Sequence, residues 1–132
     1  MEALVREVLD PAREVFGKAI AVNSGYRCAK HNAEIGGASR SQHVKGEAAD
    51  IRAVDLSGND LALENLEIAR AIVKNGKWDQ MILEDVPVSG IEPRWIHVSW
   101  KRNGVNRREV IKKVKGQRGY QRLSGLDWKQ LA

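Results

Sequence analysis

The sequence predicts an α+β fold, a small antiparallel sheet with flanking helices, and three observations lead to it. Short apolar or alternating segments bounded by turn residues recur along the chain: Lys18–Ser24, Ala48–Ala53, Trp78–Glu84 and Trp95–Trp100. Two longer segments, Glu2–Phe16 and Leu61–Asn75, instead repeat apolar residues at helical spacing. The two kinds of segment do not alternate in the βαβ rhythm of a parallel sheet. At 132 residues the chain is expected to be one domain, 1–132, able to bury a core without disulfides.

Glu2–Phe16 places Leu4, Val5, Val8, Leu9, Ala12, Val15 and Phe16 on one broad face, and Pro11 predicts two short helices or a kink, with Asp10 as N-cap of the second piece. Gly25 and Tyr26 turn the chain out of the first strand. Cys28–Ile35 reads as a short helix stopped by Gly36 and Gly37, and Ala38–Glu47 as a polar loop. Asp55–Asp60 is a second polar turn. The helix that follows carries Leu63, Leu66, Ile68, Ala69, Ile72 and Val73 and stops at Asn75-Gly76. In Trp78–Glu84 the alternation puts Gln80, Ile82 and Glu84 on one face and Met81 and Leu83 on the other. Pro87–Pro93 is a loop. In Trp95–Trp100, Trp95, His97 and Ser99 share a face. Asn103-Gly104 is a hairpin signal, followed by Arg107–Val114 as a strand or a short helix. The tail from Lys115 is basic and closes on Leu126, Trp128 and Leu131.

The formal charge is +5, and from Lys101 to Arg122 there are nine Lys or Arg against one acid, Glu109. Such a face suits nucleic acid, an anionic membrane surface or an anionic wall polymer, or is simply solvated. Few aromatics are interleaved with it, so nucleic acid is not the expected partner. A single cysteine makes no internal disulfide. No run is long enough to cross a bilayer, and Met1 leads into no secretory h-region. The expectation is a monomer without membrane insertion, cytoplasmic until something else releases it.

The chemistry concentrates in Ser24–Arg52, around Ser41-x-His43-x-x-Gly46-x-Ala48-x-Asp50, where an imidazole and a carboxylate flank small residues. His97 lies in a separate strand. Two imidazoles and one carboxylate would leave the fourth tetrahedral position of a catalytic metal site open. Taken singly, His97 between tryptophans also fits a hydrogen-bonded core residue, and Asp50 fits a turn cap. His31, beside Lys30, reads as a surface residue, and Cys28 lacks an activating base.

Ser-x-His-x-x-Gly-x-Ala-x-Asp followed by Trp-x-His-Val-Ser resembles the zinc D-Ala-D-Ala carboxypeptidase family, in particular its compact single-domain bacterial and phage branch. The resemblance implies the fold shared with the hedgehog signalling domain and a zinc ion held by His43, Asp50 and His97. It implies that Arg27, in SGYR, holds a substrate carboxylate or the oxyanion, that Ser41 supports the site, and that Gln80 and Trp95 line the cleft. Many members place an acid three residues before the last histidine ligand, where this chain has Arg94. Glu84, ending the neighbouring strand, is the expected general base, with Glu92 as the other candidate. The implied activity is a zinc metallopeptidase hydrolysing peptidoglycan stem peptides, of D-Ala-D-Ala carboxypeptidase or murein endopeptidase type. Phage or prophage lysis would fit, with a holin releasing the enzyme. The alternative is a degenerate relative that binds wall peptide or serves a structural role.

Overall fold

The computed structural model describes residues 2–24 and 47–132. The expected helix Cys28–Ile35, most of the loop Ala38–Glu47, and Arg27, Cys28, His31, Ser41 and His43 lie outside the described residues.

The N-terminal helical segment runs through α1 (Glu2–Leu4), a π-helical stretch Val5–Leu9 and α2 (Asp10–Phe16). Asp10 is not the expected N-cap. Its backbone is helical (φ −64, ψ −47) and its N–H reaches back five residues to the Val5 carbonyl. Pro11 stands in the first turn of α2, and the wider π turn before it accommodates the ring without ending the helix. Val15 leaves the apolar face and is 53% exposed.

Two strands follow among the described residues, β1 (Ala19–Ser24) and β2 (Ala48–Val54). The Asp55–Asp60 turn is closed by the Asp55 carboxylate, which accepts from the backbone N–H groups of Ser57 and Asn59. A 3₁₀ turn, Ala62–Glu64, leads into α3 (Asn65–Asn75), ended by Gly76 at φ 77 as the glycine after it predicts. Leu63, expected on the apolar face, lies in that turn and is exposed.

The remaining elements are β3 (Gln80–Val86), β4 (Trp95–Ser99), β5 (Glu109–Val114), β6 (Gln121–Arg122) and α4 (Gly125–Leu131). Neither β6 nor α4 was expected. A capping box starts α4: Ser124 Oγ accepts from the Asp127 N–H, and Asp127 Oδ2 accepts from the Ser124 N–H. Lys112 donates to Asp127 Oδ2 at 2.9 Å, tying α4 to β5.

The fold class is mixed α+β, and the six strands form one sheet in the order β1-β2-β4-β3-β5-β6. It is not wholly antiparallel, because β5 runs parallel to β3, Gln80 opposite Glu109 and Ile82 opposite Ile111. Asn103-Gly104 therefore does not make a hairpin between β4 and β5. The buried Asp79 carboxylate explains the detour: it accepts from the Arg107 backbone N–H at 2.9 Å and from its guanidinium at 2.9 and 3.1 Å. With Asp79 also accepting from the Glu109 N–H through its carbonyl, the chain is drawn past β4 and delivered beside β3.

One face of the sheet carries Ala49, Ile51, Ala53, Met81, Leu83, Ile96, Val98 and Val110, packed against Leu4, Val8, Ala12, Ile68, Ile72 and Leu131 from the helices. Each of the buried Val, Leu, Ile and Met side chains contributes about 1.5–3 kcal/mol when fully buried. That fixes register, since sliding β4 by one residue would drive His97 into the core and expel Ile96 and Val98. Trp78 is buried, whereas Trp95 and Trp100 are half-buried.

Candidate active site

The face opposite the helices carries the polar residues. Asp50 of β2 lies directly across from His97 of β4, and His97 across from Ile82 of β3. Two residues further along the ladder, Trp95 pairs with Glu84. Directly paired residues point to the same side, so Asp50, His97, Glu84 and Trp95 share one surface, floored by Ile82 and Ile111.

His97 Nδ1 stands 3.0 Å from Asp50 Oδ1, with both side chains mostly buried. At that distance the two can share a hydrogen bond. The spacing also fits a shared cation: ligands held at about 2.0–2.1 Å around a tetrahedral zinc lie about 3.3 Å from one another. A hard oxygen and a neutral nitrogen are the donors such an ion takes. No group of three or more metal-ligating side chains occurs among the described residues, and His43 lies outside them.

Glu84 is half-buried beside this pair. Burial raises its pKa, and the negative charges of Asp50 and Asp85 push the same way, while His97 and Lys113 oppose them. A carboxyl so placed holds its proton more readily than one in water, which suits a group that must take a proton and give it back. Asp85, next to it, has a left-handed backbone (φ 53) where the pairing of β3 with β5 shifts register. Such a bulge re-aims the side chains around it.

Glu92 is exposed in the loop before β4 and is not part of this row. Arg94 is also exposed; its Nε stands 3.9 Å from Asp85, and its backbone N–H donates to the Glu84 carbonyl. Gln80 lies on the site face but is engaged with Glu109, donating to Oε1 at 2.6 Å. Trp95 borders two clefts, one with Glu84 and Lys113 and one with Arg52 and Asn65. Among the described residues, larger cavities of about 600 Å³ lie elsewhere, beside α2 and α3, and lack these residues.

Two residues with a bearing on the site were not singled out from the sequence. Asn65, fully buried, accepts from the Ala53 N–H and donates to the carbonyls of Pro93 and Arg94, fastening β2 and α3 to the start of β4. Its position at a helix start was the only sequence signal. Tyr120 directly precedes β6. It is 57% exposed, and partial burial together with the charges of Glu84 and Asp50 raises its phenol pKa. Nothing in the basic, glycine-containing tail marked it.

The fold and this arrangement define a class: an α+β domain carrying an imidazole–carboxylate pair and a half-buried acid on the face of its sheet opposite the helices. The chain belongs to the peptidase M15 family, the zinc D-Ala-D-Ala carboxypeptidase family, whose sequence model, described as Peptidase M15, matches residues 2–82. The match includes His43 and Asp50 and stops before Glu84 and His97, which the sheet places beside Asp50. No curated protein matches the chain. Family membership supports a zinc-dependent peptidase. No helix among the described residues is long and apolar enough to cross a membrane.

Proposed function

We propose that the protein is a zinc metallopeptidase that hydrolyses stem peptides of peptidoglycan, with His43, Asp50 and His97 as metal ligands and Glu84 as general base. The observation that carries this reading is the 3.0 Å approach of His97 Nδ1 to Asp50 Oδ1 on the face that also bears Glu84. A zinc ion held there would polarise the scissile carbonyl and make water a nucleophile at neutral pH. Glu84 takes a proton as the water oxygen bonds to the carbonyl carbon. It then gives that proton to the amine nitrogen as the C–N bond breaks. Arg27, through its fixed fork of donors, is assigned to the oxyanion or to a substrate carboxylate. Ser41 supports the ligands, and Trp95 and Gln80 border the substrate.

One observation favours a second reading, a relative that binds wall peptide without cleaving it: position 94 carries an exposed arginine in place of an acid. Mass spectrometry of muropeptides incubated with purified protein separates the two. New peptide ends that appear with zinc, vanish with a chelator and return on adding zinc support the peptidase. Intact muropeptides at every zinc level would leave only the binding reading.

A further inference from the structure

A cleft of about 230 Å³ opens beside Glu84, lined by Glu84, Asp85, Trp95, Lys113 and Lys115 among others. It is smaller than the roughly 300–1,000 Å³ of sites that enclose a drug-sized ligand, so it suits the end of a chain rather than its middle. Lys113 is half-buried there and makes no ion pair among the described residues. Its neighbour Lys112 points to the other face and is committed to Asp127 at 2.9 Å. Asp85, the other acid of the cleft, lies 3.9 Å from the Arg94 guanidinium.

The direction of the reaction says what belongs in this cleft. The acid that protonates the departing amine must stand beside it, so the leaving half of the substrate lies on the Glu84 side of the metal ligands, toward β5. We propose that this cleft is the leaving-group subsite and that Lys113 binds a carboxylate of the departing residue. The inference rests on the peptidase reading for its orientation. It leaves Arg27 for the oxyanion. The carboxylate has two possible sources, the C-terminal α-carboxylate of the peptide or an acidic side chain.

Calorimetric binding to the full chain carrying Glu84→Gln, with zinc present, tests the subsite without turnover. The probes are a stem-peptide analogue ending in D-Ala-D-Ala, its C-terminal amide, and the same peptide with its glutamate side chain amidated. Adding Lys113→Gln should weaken binding of the free-acid peptide about tenfold or more, as loss of a charged hydrogen bond does, while Lys113→Arg retains it. If only the C-terminal amide escapes the penalty, the α-carboxylate is the ligand; if only the side-chain amide does, the acidic side chain is. Equal losses for all three peptides, no loss, or no binding of the free acid would overturn the subsite. Turnover by the unmodified chain is scored separately: hydrolysis without carboxylate discrimination sinks the subsite alone, and discrimination without hydrolysis sinks catalysis alone.

Discussion

His97 Nδ1 meets Asp50 Oδ1 at 3.0 Å across the β2–β4 ladder, although the two residues are 47 positions apart in the chain. Antiparallel pairing sets that approach, because residues directly opposite each other project their side chains to the same side of a sheet. Asp50→Ala and His97→Ala should each remove tightly held zinc from dialysed protein. Elemental analysis reads this directly, with circular dichroism reporting on the fold. Stoichiometric zinc in both variants would place the metal elsewhere.

Glu84→Gln should lower kcat for muropeptide hydrolysis about 10²–10⁴-fold while zinc content stays unchanged. A kcat within a fewfold of the parent would remove Glu84 from the mechanism, and the same measurement on Glu92→Gln would then decide for the other acid.

The raised pKa of Glu84, caused first by its burial, also has a consequence for stability. A carboxyl whose folded pKa lies above its unfolded one binds more protons when folded, so it costs stability as pH rises through that window and costs nothing below it. In chelator-treated protein, Glu84→Gln is expected to be more stable than the parent at pH 7, with the advantage fading toward acid pH. Urea unfolding at several pH values checks this; a constant difference would mean the carboxyl is not strained by burial.

Asp79 behaves oppositely. Burial alone would raise its pKa, but the Arg107 side chain and backbone N–H, with the charges of Arg107 and Lys101, outweigh it and bring it below the usual range. Its contribution is present above the pKa of unfolded aspartate, about 3.9, and is lost as pH falls through the folded value. Arg107→Met leaves the buried carboxylate short of partners and should cost about 1–3 kcal/mol at pH 7, the half-exposed guanidinium keeping the figure below that of a fully buried pair. The penalty should shrink at pH 3. Equal unfolding midpoints for the two proteins at pH 7 would contradict the role given to this cluster.

Asn65→Ala strands the Ala53 N–H and two carbonyls in the interior and should destabilise by about 1–3 kcal/mol. Because those carbonyls belong to Pro93 and Arg94, just ahead of Trp95 and His97, the same change should weaken zinc retention. A full loss of stability with unaltered zinc affinity would make Asn65 a purely architectural residue.

The sequence by itself determined the α+β class, the extents of β1 and β2 to within a residue, the end of α3 at Asn75-Gly76, and which residues of β3 and β4 share a face. Those are read from local periodicity and turn chemistry, which depend on near neighbours alone. It also marked Asp50, His97 and Glu84 as chemically distinctive. Only the tertiary structure decided that His97 stands against Asp50, that Glu84 lies beside them and Glu92 does not, and that β5 joins β3 in parallel despite Asn103-Gly104. Those outcomes come from strand pairing between distant segments and from a buried carboxylate, Asp79, whose partners lie far along the chain. Local pattern carries no record of either, because the energy of burying Ile96 and Val98 and of satisfying Asp79 exists only once the sheet has assembled.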